Sequence, residues 1–245
     1  MGVIMNTPGR NLIAPWLMLI SRTLLFAVFQ CLIAGILILT GSPTPWKTSA
    51  DWWPFSAIFT NIVSIILLVW LFHKEDNRYF EFLCFSRQTI WKDVGITLLL
   101  GLVAIPMVTY PNQWLAKVLF GSQDIGFWNF VQPLPLWAGI VSTLFPITIV
   151  FAELPTYFGY VMPRLEEQLG NGWYAWAVAS FFLGVQHATL PVILDWRFIA
   201  WRIGMMIPLT FSIGLCLKLR PQVFPYVMVG HGLLDMMTVV TLLTL

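Results

Sequence analysis

The amino-acid sequence predicts an all-α membrane protein, a polytopic bundle of about seven transmembrane helices. Of its 245 residues, 58% are hydrophobic and only 10% are Asp, Glu, Lys or Arg, whereas a soluble domain carries about 25% charged residues. The 13 Trp and 19 Phe suit a lipid-facing surface with aromatic belts. Seven stretches approach the length of about 20 apolar residues that a spanning helix needs.

The predicted spans follow one another without a large polar insertion, which favours one transmembrane domain over residues 1–245. They run approximately over Thr23 to Thr40, Trp53 to Phe72, Val94 to Tyr110, Leu136 to beyond Glu153, Trp173 to Pro191, Phe198 to Leu217 and Val223 to Leu245. Before the first of them, Asn11 to Ile20 is also apolar. That stretch is either an interfacial helix or an extension of the first span.

The distribution of Lys and Arg favours a cytoplasmic N-terminus and a C-terminus on the opposite side (N-in, C-out). In this orientation the inside residues are Arg10, Arg22, Lys74, Arg78, Arg87, Lys92, Arg164, Lys218 and Arg220, and the outside residues are Lys47, Lys117, Arg197 and Arg202. Arg164, Glu166 and Glu167 lie near the tip of the hairpin between spans four and five. We interpret them as a solvated helix end.

Composition also excludes several classes of protein. A net charge of +2 is too small to indicate nucleic acid as a partner, so membrane lipid is the expected surrounding. The three cysteines, Cys31, Cys84 and Cys216, are far apart. Their spacing indicates neither a disulfide framework nor a zinc-thiolate site.

Two acids and two histidines fall inside the predicted spans: Glu153, His187, His231 and Asp235. A charge at the centre of a bilayer costs at least about 2.5–3.5 kcal/mol, so such residues normally face the interior of the bundle and find partners there. Glu153 precedes Gly170, at the hairpin tip, by seventeen residues, and His187 follows it by the same number. At a rise of about 1.5 Å per residue both lie about 25 Å from the tip, at one level.

His231 and Asp235 are spaced i, i+4, so they share one face of the seventh span. A common pocket for all four side chains is therefore allowed. Pro155 is expected to disturb the helix directly after Glu153, and broken backbone at membrane depth is tolerated where it lines a cavity. The structural alternatives are a histidine bonded to a carbonyl, a neutral hydrogen-bonded Glu153, and an Asp235 that only orients His231.

The same residues lie in three short motifs that resemble those of a known family. The run from Glu153 to Glu166, Glu-Leu-Pro-Thr-Tyr-Phe-Gly-Tyr-Val-Met-Pro-Arg-Leu-Glu, is similar to a first motif Glu-Glu-x-x-x-Arg followed by Gly and Pro-Arg-Leu. Leu183 to His187 is similar to Phe-x-x-x-His, and His231 to Asp235 matches His-x-x-x-Asn or Asp. The chain thus resembles, over residues 136–243, the CPBP (CAAX-processing and bacteriocin-processing, or Abi) intramembrane proteases, which are related to the type II CAAX prenyl endopeptidase.

Three positions depart from the family motifs. Leu154 stands where the second Glu is expected, Phe158 where the Arg is expected, and Leu183 where the Phe is expected. The first Glu, both histidines and the final acid are retained. The loss of the second Glu and the Arg weakens the expectation of full activity.

The resemblance implies an intramembrane endopeptidase in a bacterial cell membrane, acting on a membrane-bound or prenylated peptide. It implies that Glu153 activates water, that His187 positions it, and that His231 and Asp235 stabilise the oxyanion. The resemblance leaves open whether Glu153, His187 and His231 bind a divalent metal such as zinc. One alternative is a non-catalytic membrane protein of the same type with an immunity, binding or regulatory role. Another is a small transporter whose buried acids carry protons.

Overall fold

The computed structural model describes residues 12–123 and 131–244, and these residues form helices and connecting loops without a β-strand. Arg10, which the sequence analysis places in the cytoplasm, lies outside the described residues. The α-helices are α1 (Ala14–Leu39), α2 (Pro45–Asp51), α3 (Trp53–Lys74), α4 (Ile90–Phe120), α5 (Leu136–Val141), α6 (Leu144–Val150), α7 (Met162–Leu169), α8 (Gly172–Val185), α9 (Trp196–Leu219) and α10 (Phe224–Thr244).

Six helical segments are long and apolar enough to cross a membrane, which confirms an all-α polytopic bundle. They are Ala14–Leu39, Trp53–Lys74, Ile90–Phe120, Leu136–Leu169, Trp196–Leu219 and Pro221–Thr244. The first begins at Ala14 rather than Thr23, so the apolar stretch before Thr23 extends the span. The fourth contains α5, α6, a π-helix over Pro155–Val161 and α7.

The fifth predicted span, Trp173 to Pro191, is replaced by a shorter helix and a loop. Helix α8 has 14 residues, a length of about 21 Å against the roughly 30 Å of a hydrocarbon core. A short 3₁₀ turn, Gln186–Ala188, follows it, and the chain then runs without a helix to α9. The predicted helix is thus interrupted beside His187.

Buried polar side chains satisfy the backbone of this loop. The guanidinium of Arg202 donates to the carbonyls of His187 (3.2 Å) and Leu190 (2.9 Å). The amide of Gln30 both donates to the carbonyl of Val192 (2.9 Å) and accepts from its N–H (2.6 Å). Irregular backbone inside a membrane protein requires such partners, so Arg202 is part of the interior and not of a solvated flank.

Polar contacts join helix ends that the predicted topology places on one side of the membrane. The pairs are Trp16 with Gln168 (3.0 Å), Glu75 with Arg164, Asp93 with Arg220 (2.7 Å) and Glu166 with Lys218 (3.8 Å). At the other end of the bundle, the side chain of Leu243 lies against Gly139. The N-terminal end of α1 and the C-terminal end of α10 therefore lie at opposite ends of the bundle. The assignment of one of these ends to the cytoplasm stays a prediction.

The interpretation of Arg164 as part of a solvated helix end is wrong. Its side chain is 1% exposed. It pairs with Glu75, donates to the carbonyl of Tyr160 (3.0 Å) and stacks on the rings of Tyr160 and Phe72. Buried arginines need this degree of pairing, and here the pairing ties α7 to the end of α3.

Candidate functional site

The site is built around Glu153, which lies midway along the fourth spanning segment, Leu136–Leu169. Pro155 follows it by two residues and begins the π-helix Pro155–Val161. π-Bulges are frequent at functional sites because the extra residue per turn redirects nearby side chains. The disturbance predicted from Pro155 is therefore present, directly after the carboxylate.

Proline at position 155 also leaves one backbone acceptor without its helical donor. An α-helix would bond the N–H of residue 155 to the carbonyl of Phe151, and proline has no N–H. The hydroxyl of Tyr79 donates to that carbonyl instead. A residue from the 3₁₀ helix Tyr79–Leu83 thereby stabilises the backbone two residues before Glu153.

Glu153 is 4% exposed, and its carboxylate contacts side chains from three other elements. Its Oε1 lies 3.4 Å from Nε2 of His231 in α10. Its Oε2 accepts a hydrogen bond of 2.6 Å from the amide of Gln186 and lies 3.6 Å from the guanidinium of Arg22 in α1. The two oxygens therefore have different surroundings.

His231 connects Glu153 to the fourth predicted residue. Its Nε2 lies 3.3 Å from Oδ2 of Asp235, one helical turn further along α10. Neither Oδ2 of Asp235 nor Nδ1 of His231 has an aligned hydrogen-bond partner among the described residues, although both atoms are buried. The imidazole thus faces two carboxylates and keeps one buried ring nitrogen available.

His187 lies beside this group but makes a different contact. Its Nδ1 is 2.9 Å from the carbonyl of Leu183, and the ring is close enough to Glu153 and His231 to interact with them electrostatically. The hydrogen bond to Glu153 comes from its neighbour, Gln186. Glu153 and Asp235 therefore both contact His231, and His187 lies next to this group.

Arg22 is wrongly assigned to the cytoplasmic flank by the sequence analysis. It lies inside α1, and its side chain is fully buried. The guanidinium donates to Gln186 (2.9 Å), to Asn61 (2.9 Å) and to Ser64 (3.3 Å). The first span begins earlier than predicted, so Arg22 lies well inside it.

Two further residues of the site were missed by the sequence analysis. Gln186 precedes the motif histidine and links Arg22 to Glu153, and its carbonyl oxygen also accepts from the hydroxyl of Tyr157 (3.2 Å). Asn61 lies in the second span and donates to Thr148 (3.0 Å). Polar residues in the middle of apolar spans were the available signal, because each must find a partner in the interior.

An apolar cavity of about 480 Å³ reaches the site from the side of α4. It lies between α4, α9 and α10, and His231 is part of its wall together with Gly101, Ile105, Leu209 and Leu234. Its size is within the range of ligand pockets, about 300–1,000 Å³. The cavity can therefore hold an apolar group next to the imidazole.

The candidate zinc ligands do not form a metal site in this arrangement. In residues 12–123 and 131–244, no group of three or more His, Cys, Asp or Glu side chains is arranged to hold a metal ion. Oε2 of Glu153 accepts a hydrogen bond from the Gln186 amide, and the carbonyl of Leu183 lies 2.9 Å from Nδ1 of His187. The chemistry proposed below uses side chains alone.

The three positions that depart from the family motifs are buried in the apolar core. Leu154, Phe158 and Leu183 are 1%, 3% and 1% exposed and belong to one hydrophobic cluster. Leu154 and Phe158 are spaced like a pair that can meet on one helix face. Where the motif of the resembling family has an acid and an Arg, this chain therefore has apolar side chains that pack in the core.

Comparisons with known proteins do not extend the motif resemblance. No protein-family model, curated protein or solved structure matches this chain.

Proposed function

We propose that this chain is an intramembrane endopeptidase that hydrolyses a peptide bond in a membrane-bound or lipidated peptide, in a bacterial cell membrane. The observation that carries the proposal is the contact between a buried carboxylate, Glu153, and an imidazole, His231, at 3.4 Å in the middle of a spanning segment. A carboxylate and an imidazole within reach of one water are the groups that general acid–base hydrolysis uses.

The proposed reaction begins with water held near Oε1 of Glu153 and His187. Glu153 accepts a proton from this water while the water oxygen forms a bond to the carbonyl carbon of the peptide. His231 stabilises the negative charge that develops on the carbonyl oxygen, a contribution of several kcal/mol in comparable sites. Glu153 then delivers its proton to the departing amine as the C–N bond breaks, and a carboxylic acid and an amine leave.

The contact at 3.3 Å between Asp235 and His231 supports a role for Asp235 in orienting the ring. A carboxylate beside an imidazole fixes its orientation and stabilises its protonated form, as in other hydrolases. In this proposal Asp235 acts through His231, and the imidazole meets the substrate.

The cavity beside His231 supports an apolar substrate. One wall of the cavity is α4, a helix in which only Asp93, Ala104 and Ala116 are buried. The lining of the cavity is almost wholly apolar. A peptide within the bilayer or with an attached hydrocarbon chain can place its apolar part there and present its backbone to Glu153.

The test is hydrolysis of a prenylated peptide, or of a peptide library, by purified protein in detergent. We expect Glu153→Gln to lower kcat by at least about 100-fold, as for loss of a general base. Glu166→Gln is the matched control, because the Glu166 side chain is half exposed at the hairpin tip. A wild-type protein that cleaves nothing while a CPBP protease cleaves under the same conditions refutes the proposal.

The second candidate is a non-catalytic membrane protein with an immunity, binding or regulatory role. The apolar, buried side chains of Leu154 and Phe158 favour it, because the family motif has an acid and an Arg there. This candidate requires Glu153→Gln to leave the cellular effect of the protein intact, so a complementation assay in cells separates the two functions.

A further inference from the structure

We infer that Arg22 is a positioning residue for Glu153: with Gln186 it holds Oε2 of the carboxylate, so that Oε1 faces His231 and the attacking water. The inference rests on the proposed hydrolytic function. It adds a residue from the first helix, more than 100 positions before the first motif.

The guanidinium of Arg22 is held in place by hydrogen bonds to side chains other than Glu153. Each of its three nitrogens donates to a different side chain, Nε to Gln186, one terminal nitrogen to Ser64 and the other to Asn61. The side chain is fully buried. A planar guanidinium held at all three nitrogens cannot rotate freely, which is the property that distinguishes Arg from Lys at such sites.

Gln186 connects the guanidinium of Arg22 to the carboxylate of Glu153 through two hydrogen bonds. Its carbonyl oxygen accepts from Arg22 at 2.9 Å, which directs its NH₂ group to Oε2 of Glu153 at 2.6 Å. The guanidinium itself lies 3.6 Å from the same oxygen. The hydrogen bond from Gln186 and the charge of Arg22 both act on Oε2, which favours the orientation in which Oε1 lies 3.4 Å from Nε2 of His231.

The charge of Arg22 also offsets the proximity of two acids. Glu153 and Asp235 both approach Nε2 of His231, at 3.4 and 3.3 Å. Two ionised carboxylates around one imidazole repel each other, and a nearby cation offsets this repulsion. At Phe158 the chain lacks the Arg of the first motif, and α1 brings a guanidinium to that motif from a different helix.

The test compares two buried arginines, of which only one touches the site. Arg22→Met and Arg22→Lys are measured beside Arg164→Met and Arg164→Lys, because Arg164 is equally buried but pairs with Glu75. The readout is kcat and KM, per folded molecule, on the cleaved peptide. We expect Arg22→Met to lower kcat by about 100-fold, the effect of misplacing a reacting group by about 1 Å, with KM within about threefold.

We expect Arg22→Lys to retain part of the activity, since the charge remains while the three-nitrogen geometry is lost. The Arg164 variants should lower the thermal midpoint and leave kcat within about threefold of wild type. Equal losses of kcat at both arginines, or an unchanged kcat in Arg22→Met, overturn the inference.

A second measurement needs no activity. The thermal midpoints of Arg22→Met, Glu153→Gln and the double variant form a double-mutant cycle, and contact between the two side chains predicts that their effects are not additive. If the two substitutions have additive effects on the thermal midpoint, the positioning role of Arg22 is overturned, whatever the protein hydrolyses. If the wild type hydrolyses no peptide, the proposed function and the positioning role fall together.

Discussion

The hydroxyl of Tyr79 donates to the carbonyl of Phe151, the acceptor that Pro155 leaves without a helical donor. The two residues are 72 positions apart in the sequence. Through this bond a short 3₁₀ helix between α3 and α4 supports the backbone that leads into Glu153. The bond explains how a proline is accommodated next to a buried carboxylate.

Removing this hydroxyl should destabilise the protein. We expect Tyr79→Phe to lower the free energy of unfolding by about 1–3 kcal/mol, the cost of leaving a buried carbonyl unsatisfied. The thermal midpoint in detergent measures the effect. Tyr174→Phe is the control, since Tyr174 is 55% exposed on α8. Equal midpoints for the two variants would show that the bond contributes nothing.

His231 and Asp235 should differ in their importance for hydrolysis. His231 contacts Glu153 directly, whereas Asp235 reaches it only through the imidazole. We expect His231→Gln to lower kcat about 100-fold or more and Asp235→Asn to lower it by about tenfold or less, because an amide can still orient the ring. Peptide cleavage by the purified variants decides this, and the reverse order would assign the direct role to Asp235.

Filling the cavity beside His231 should weaken binding of an apolar substrate. Gly101 lines the cavity, and a Cβ atom added there would have open space around it. We expect Gly101→Phe to raise KM for a lipidated peptide by about tenfold, or about 1.4 kcal/mol. Gly95→Phe is the control on the same helix, in equally open space. A KM unchanged by Gly101→Phe would place the apolar part of the substrate elsewhere.

The orientation N-in, C-out can be tested at an exposed native cysteine. Cys84 lies between α3 and α4, on the side predicted to be cytoplasmic, and it is exposed. With Cys31 and Cys216 replaced by Ala, we expect a membrane-impermeant maleimide to label Cys84 in inverted but not in right-side-out vesicles. A Cys-free protein carrying Lys47→Cys should show the opposite pattern. Labelling of Cys84 from the outside would invert the topology.

Part of the candidate site could be predicted from the sequence alone. Glu153, His187, His231 and Asp235 were identifiable because each is an ionisable residue in an apolar span, and equal spacing from Gly170 placed two of them at one level. Gln186 could not be chosen in this way, since it is one uncharged residue among several. Its role depends on the end of α8, which the pattern of apolar residues did not locate.

The sequence by itself determined that the protein is a helical membrane protein with a few buried ionisable groups. Bilayer thickness and the cost of a charge in hydrocarbon act on each segment separately, so they can be read along the chain. Only the tertiary structure decided that Arg22 meets Gln186 and Glu153, that Arg164 is buried, and that the fifth span is a short helix and a loop. These features depend on how separate helices are rotated and packed against one another, and local sequence does not specify that.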